Sequence, residues 1–446
     1  MMRRIEWRWQ QGDIAAGRVV AVIAGSLFAL LLTFFIRPSS RLQAADLAAT
    51  AARASVRAED AKRHVTALAD DALEGRAAGT RGGRAAGAYL VEEFERIGVD
   101  PAGDEGGYYQ RFGTMRNVLG MLRGSDPEAS QEIVVVGAHY DHVGYGTSSN
   151  SYGPTGYIHN GADDNASGVA GLLEVAEACT LLPQRPRRTI VFACWDGEEV
   201  NLLGSRHFVR ERPKALAHHT VAFSLNLDMI GRLREQRLEV YGSRSAVGLR
   251  RCVVQANLPT SLQLVLSWEY SEDSDHYPFL AAGIPTLMFH TGLHEEYHRP
   301  SDDTHLVNFA GIEPVARLAL ETLLAVADTR EAPAFREACR SETETARKRL
   351  ESEAPPATPK RWGLGTRQDS GDPSAPVVVR VSPGTPAERG GIRLGDRLLA
   401  VNHQLLADQN DMVRQLADAA EAITLTVDRQ GQLLDLRVTT EADAAN

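Results

Sequence analysis

Two adjacent carboxylates, Glu198 and Glu199, follow a continuous apolar run ending in Trp195-Asp-Gly and precede Leu202-Leu-Gly-Ser205. Neighbouring ionised carboxylates repel, so the pair costs stability unless positive charge lies against it. A metal site with a proton-transferring base beside it is one arrangement that keeps such a pair. The chain supplies the other groups such a site needs: His139-Tyr-Asp141, Asp163-Asp164, Asp228 and Tyr297-His298. Imidazole and carboxylate donors suit zinc, and also other first-row divalent ions. Two ions held close together need a bridging carboxylate and two further ligands each. One aspartate of the Ala162-Asp-Asp-Asn165 turn could bridge; His139 and Asp228 could complete one ion, Glu199 and His298 the other. Asp141, two residues beyond His139, could accept a ring N–H and fix its tautomer. Glu198 is then left free as a general base.

Each signal is weak alone. His-x-Asp is usually a surface loop, Asp-Asp-Asn before a helix is usually an N-cap, and Glu-Glu is usually a solvated face. Asp228 after a buried strand is harder to dismiss, because a buried aspartate needs a partner. It is their joint order that points to chemistry. His142, His159, His276, His290 and His294 lie near these motifs, and spacing assigns none of them as a ligand. Cys194 and Trp195 read as wall residues.

The elements that must position these groups are legible as apolar runs. Residues 133–136, 189–193, 221–227 and 285–289 read as buried strands, and 165–182 carries helical spacing at Val169, Leu172, Leu173 and Ala176. Apolar strands separated by helices predict an α/β fold, a mixed, mostly parallel sheet with helices on both faces. His139 and Asp141 follow the first strand, Glu198 and Glu199 the second, Asp228 the third, and His298 the fourth. Open α/β sheets bind ligands at the carboxyl ends of their strands, so one edge receives every candidate group.

The 446 residues suffice for two or three domains, and a net charge of -10 without a basic tract argues against nucleic acid as a partner. Residues 19–36 are uncharged and follow Arg3, Arg4, Arg8 and Arg18, which predicts a transmembrane anchor with the rest of the chain beyond the inner membrane, in the periplasm or outside the cell. The alternative is a cleaved signal segment, with the product secreted. The expected organisation is 1–37 N-terminus and anchor, 38–59 stalk, 60–329 main domain, 330–361 charged and proline-rich linker, and 362–440 small β-rich domain. Four scattered cysteines do not make a disulfide scaffold.

The main domain resembles the co-catalytic zinc aminopeptidases related to bacterial leucyl aminopeptidase, glutamate carboxypeptidase II and the transferrin receptor. The resemblance rests on Leu73-Glu-Gly-Arg76 with Gly79-Thr80, Gly137-Ala-His-Tyr-Asp141, Gly161-Ala-Asp-Asp-Asn-Ala-Ser-Gly168, Trp195-Asp-Gly-Glu-Glu199 with Leu203-Gly-Ser205, Asn226-Leu-Asp-Met-Ile-Gly231, Ser274-Asp-His-Tyr-Pro-Phe279 and Thr291-Gly-Leu-His-Glu-Glu-Tyr-His298. It implies two zinc ions: His139, Asp164 and Asp228 on one, Glu199 and His298 on the other, with Asp164 bridging. It also implies Glu198 as general base and Asp141 as orienting residue. His290 stands where such sequences often have an apolar residue.

The last domain resembles the PDZ domains of HtrA-type proteases through residues 377–401, with Gly363-Leu-Gly365 at the carboxylate-binding loop. The implied function is an aminopeptidase acting on peptides with a free N-terminus, with a PDZ domain for a C-terminal peptide or protein ligand. Metallocarboxypeptidase or dipeptidase activity on the same core is the alternative, although only 70 residues separate Asp228 from His298, too few for an inserted lid domain. A glutaminyl cyclase would use one zinc. An inactive peptide-binding adaptor is the non-enzymatic reading.

Overall fold

The computed structural model describes residues 40–269, 271–354 and 361–440. The strands of its larger sheet are β1 (Asp100–Pro101), β2 (Tyr109–Phe112), β3 (Met115–Leu122), β4 (Glu132–His139), β5 (Thr189–Trp195), β6 (Thr220–Leu227), β7 (Arg237–Tyr241), β8 (Gln263–Leu266) and β9 (Thr286–His290). They lie in the order β1-β3-β5-β4-β6-β9-β7-β8, with β2 paired to β3. The centre, β5-β4-β6-β9, is parallel, whereas β3 and β7 flank it antiparallel. The sheet is therefore mixed, with its parallel part where the candidate groups emerge.

Alternation along the central strands explains why both faces are covered. Val134, Val136, Ala138, Ile190, Phe192 and Cys194 enter one core. Ile133, Val135, Val191, Ala193 and Trp195 enter a second core on the opposite face. The helices are α1 (Ser40–Ala54), α2 (Ala58–Leu68), α3 (Arg81–Ile97), α4 (Gly168–Thr180), α5 (Leu203–Arg210), α6 (Leu249–Ala256), α7 (His276–Ala281) and α8 (Phe309–Ala327). Buried residues of α2, α3, α4, α6 and α8 close the first core, and Phe208 of α5 with Phe279 of α7 closes the second. Each large apolar side chain so buried contributes roughly 1.5–3 kcal/mol.

The helix expected over 165–182 begins later, at Gly168. Asn165 accounts for the delay. Its amide donates to Leu227 O (2.9 Å), and its carbonyl oxygen accepts from Gly168 N (3.0 Å) and Met229 N (3.1 Å). The turn before α4 is thereby tied to the end of β6, which brings Asp164 beside Asp228.

Beyond α8 come α9 (Glu344–Glu351) and a second, antiparallel sheet of β10 (Leu364–Asp369), β11 (Asp372–Val381), β12 (Arg397–Val401), β13 (Gln404–Leu405), β14 (Ala422–Arg429) and β15 (Gln432–Thr439). It carries α10 (Pro386–Arg389) and α11 (Gln409–Asp418) and has its own core, including Trp362, Val378, Leu398, Leu425 and Val427. Arg244 joins the two sheets. Its guanidinium donates to both oxygens of Asp369 (2.9 Å each) and both oxygens of Glu342 (2.6 and 2.8 Å), and lies 3.6 Å from the centre of the Trp268 ring. Arg250 pairs with Asp428 (2.8 Å) across the same junction.

The expectation of a membrane anchor is corrected. Among the described residues no helix is long and apolar enough to cross a membrane. Helix α1 interrupts its alanines with Arg, Gln and Asp, and residues 19–36, on which the expectation rested, lie outside the described residues. The inner-membrane placement, and the periplasmic or exterior location derived from it, fall with the anchor.

Candidate metal centre

The register of the parallel strands aligns their ends. His139 sits opposite Trp195 across β4 and β5, Gly137 opposite Asn226 across β4 and β6, and Leu227 opposite Phe289 across β6 and β9. The residues that follow these strands therefore converge. Asp164 lies at the middle of the convergence. Its Oδ1 is 3.4 Å from His139 Nε2, and its Oδ2 is 3.2 Å from His298 Nε2. His139 Nε2 also lies 3.5 Å from Asp228 Oδ1, and His298 Nε2 lies 3.2 Å from Glu199 Oε2. The set divides into His139, Asp164 and Asp228 on one side and His142, Asp164, Glu199 and His298 on the other.

The neighbouring Asp163 points elsewhere: its Oδ1 accepts from Gly231 N (2.6 Å) and Ser167 Oγ (2.9 Å), and its Oδ2 lies 3.1 Å from His294 Nε2. Spacing left the two aspartates equivalent; packing separates them. Asp302 supports the turn by accepting from the amides of Asp163 and Asp164.

The outer nitrogens of the histidines are committed. His139 Nδ1 donates to the main-chain carbonyl of Asp141 (3.1 Å), and His298 Nδ1 donates to Asn150 O (2.9 Å). Both Nε2 atoms thus face the carboxylates with their lone pairs available to a cation. The expected acceptor for His139 was the Asp141 side chain, yet that carboxylate is 3.9 Å away. It accepts instead from the amides of Glu198 (3.0 Å) and Glu199 (3.4 Å), so Asp141 is hydrogen-bonded both to the histidine, through its carbonyl, and to the glutamate pair, through its carboxylate.

His142 joins the cluster, although spacing gave it no role. Its Nδ1 lies 2.8 Å from Glu199 Oε1 and 3.7 Å from Asp164 Oδ2. Its place three residues past His139, beyond a strand end, was the available signal. Tyr297 was quoted only as the neighbour of His298. Its ring stacks on His298 at 4.0 Å, and burial with the charges of Asp164 and Glu199 holds its phenol protonated. The other histidines do different work. His159 contacts Ser151 Oγ (2.8 Å), His290 Nδ1 accepts from Gly292 N (2.8 Å), and His276 is buried on α7.

The electrostatics test whether a cation fits. Burial opposes protonation of His139, but Glu198, Asp228 and Asp164 outweigh it and raise the imidazole well above its ordinary value. His298 behaves alike: burial lowers it, and Asp164 and Glu199 carry it up to about 10. Burial would raise Glu199, yet hydrogen bonds from His142 and His298 hold it below the carboxylate range. The carboxylates thus draw protons onto nitrogens that a divalent ion would otherwise occupy. Oxygen and imidazole donors around a demand for positive charge fit zinc. Glu198 differs, because desolvation and the neighbouring Glu199 raise it well above its ordinary value.

Residues 117–323 match the model of Peptidase family M28, and residues 377–429 match a PDZ domain. The chain carries an M28 peptidase domain followed by a PDZ domain. Aminopeptidase YwaD of Bacillus subtilis is 31% identical over 199 residues, covering 42% of this chain and 40% of its own length. Leupeptin-inactivating enzyme 1 of Streptomyces exfoliatus is 29% identical over 171 residues, 38% of this chain and 34% of its own. The chain therefore spans less than half the length of these curated relatives. Among solved structures, the LapA aminopeptidase of Legionella pneumophila aligns at a TM-score of 0.54 with 17% identity, over 66% of this chain and 76% of that one. BSAP, a zinc aminopeptidase from Bacillus subtilis, aligns at 0.50 with 17% identity, over 63% and 98%. At these identities the likeness speaks for the mixed α/β fold of the M28 domain.

Proposed function

We propose that this protein is a zinc-dependent aminopeptidase that removes N-terminal residues from peptides at a two-zinc centre. The observation that carries the reading is Asp164, whose two oxygens face two different histidines. His139 and Asp228 would complete one site; Glu199 and His298 would complete the other, with His142 beside them. Bound there, zinc supplies Lewis acidity towards the scissile carbonyl and the attacking water. Glu198 is the general base. Its carboxylate takes a proton from the water and returns it to the departing amine, which regenerates the base. Asp141 fixes the Glu198 main chain for this exchange. The Tyr297 phenol, kept protonated beside the ligand set, is available as a hydrogen-bond donor to developing negative charge. The preference for a free N-terminus is supported by the relatives named as aminopeptidases.

The PDZ domain presents a groove of about 750 Å³ between β10 and α11, lined by Trp362, Leu364, Gly365, Met412 and Leu416 among others. We assign it to a peptide that adds a strand at β10 and places its C-terminal carboxylate at Gly363-Leu-Gly365. The test of the whole reading is metal analysis of the full chain together with digestion of a peptide library, with and without Glu198→Ala. Two equivalents of zinc and chelator-sensitive removal of N-terminal residues are expected. Cleavage confined to N-acetylated peptides, from their C-termini, would overturn the aminopeptidase assignment.

A further inference from the structure

The segment Leu73-Glu-Gly-Arg76 contributes no group to the metal cluster, yet its backbone is unusual. Glu74, Gly75 and Arg76 all have positive φ, at 53°, 65° and 51°. Such a run is costly for residues bearing a Cβ and persists only where the surroundings enforce it. Gly75 is obligatory here, because a Cβ would lie 2.5 Å from both Gly144 O and His159 O. The consequence of this backbone is the placement of Arg76, whose side chain is fully buried.

The guanidinium spends its donors on main-chain carbonyls. Nε donates to Tyr140 O (2.8 Å), Nη1 to Leu68 O (2.7 Å) and Asn160 O (2.5 Å), and Nη2 to Gly161 O (3.0 Å). Tyr140 lies between His139 and Asp141; Asn160 and Gly161 lead directly into the turn that carries Asp164. The same segment grips the first loop with its own backbone: Arg76 O accepts from His142 N (3.3 Å), and Gly75 O accepts from Gly144 N (3.0 Å). One rigid, planar fork therefore spans the two loops that bring His139, His142 and Asp164 together. Its charge also acts on Asp164, Asp141, Asp302 and Glu199.

We infer that Arg76 is a positioning residue for the metal centre, setting the separation of the two ligand-bearing loops before any ion arrives. The inference rests on the metal-centre reading above. Metal ligands tolerate displacements of only about 0.2 Å, and loss of a group that orients ligands typically lowers metal affinity about 10–100-fold. A cation close to the ligands would by itself disfavour a second cation. Affinity that falls on removing Arg76 is therefore the signature of positioning, whereas affinity that rises is the signature of charge alone.

The experiment measures zinc dissociation constants of the full chain, Arg76→Lys and Arg76→Gln by competition with a chromophoric chelator. It also records thermal midpoints of metal-free and loaded forms and the visible spectrum of the cobalt-substituted proteins. Expected are folded variants whose zinc affinity drops at least about tenfold, more for Gln than for Lys, with altered cobalt bands. Zinc affinity within threefold of the parent, with only the midpoint lowered, would overturn the inference, as would tighter binding. Hydrogen exchange on the unmodified chain decides the matter even if neither variant folds. The amides of His142 and Gly144 should be as protected without metal as with it; loss of their protection on metal removal would show that the ion, not Arg76, arranges the loops. If the parent itself binds no zinc, the metal-centre reading fails instead, and the two failures are distinct.

Discussion

Glu198 and Glu199 are chain neighbours with opposite electrostatic surroundings. Two imidazoles hold Glu199 ionised, while Glu198 loses water and gains a like-charged neighbour. Substituting each with Gln should separate their roles: Glu198→Gln is expected to lower kcat about 10²–10⁴-fold with zinc content unchanged, whereas Glu199→Gln should lose zinc. Equal zinc loss in both, measured by metal analysis after dialysis, would remove the distinction. A second buried carboxyl makes a separate prediction away from the site. Glu174 accepts from Arg57 N (2.8 Å), its other oxygen has no hydrogen-bond partner, and desolvation lifts it to about 8. Its neighbour His64, 3.9 Å away, is lowered to about 3 by burial, so the two meet as neutral groups. Between the ordinary carboxyl value of 4.5 and about 8, the folded chain holds a proton on Glu174 that the unfolded chain releases, so the Glu174 contribution to stability falls as pH rises through that window; His64 contributes the opposite slope up to its ordinary value of 6.5, which leaves the net fall of the pair above it. Glu174→Gln should flatten this slope, matching the parent near pH 4 and exceeding it by roughly 1–3 kcal/mol at pH 8. Urea unfolding at the two pH values measures the difference.

At the scale of elements, Asn165 links the turn before α4 to the end of β6 through two buried hydrogen bonds, with Leu227 O and Met229 N, and holds the first residue of α4 through a third, from Gly168 N. Asn165→Ala should cost roughly 2–4 kcal/mol at about 1 kcal/mol or more per bond, and should weaken zinc binding because Asp164 and Asp228 lose their common support. A denaturant midpoint that moves without any change in zinc affinity would confine Asn165 to stability. The central strands were readable because both of their faces are buried, leaving a largely apolar run in each, with Ser224 and Asn226 the polar residues inside that of β6. The short outer strands β7 and β8 were not, because Arg237, Glu239 and Gln263 break the apolar pattern at a sheet edge. The delayed start of α4 was hidden as well: periodicity registers Val169 and Leu172, but not the bonds Asn165 makes to a strand more than sixty residues away. The choice between Asp163 and Asp164 depends on Gly231, and the part taken by His142 depends on Glu199; both are contacts between distant segments, which local spacing does not encode.

For the whole molecule, the junction between the M28 and PDZ domains turns on Arg244, whose two carboxylate partners come from different segments beyond α8. Arg244→Met would leave Asp369 and Glu342 without their shared cation, apart from what Arg397 and Arg336 supply. Breaking such a buried pair typically costs about 3–5 kcal/mol. The expected readout is a calorimetric trace that splits into two transitions; one undivided transition at the parental midpoint would show that the junction does not depend on Arg244. The clamp has a further meaning because β10 serves at both ends. Leu364 and Gly365 line the groove, and Asp369, on the same strand, is fastened to the M28 domain. A peptide held by its tail in the groove would not swing on a flexible tether. Its free end would explore a volume fixed by its own length, so the local concentration at the cleft would be highest for one span and fall for shorter and longer chains. The protein would then act as a ruler, trimming a captured peptide until too few residues remain to bridge from groove to cleft.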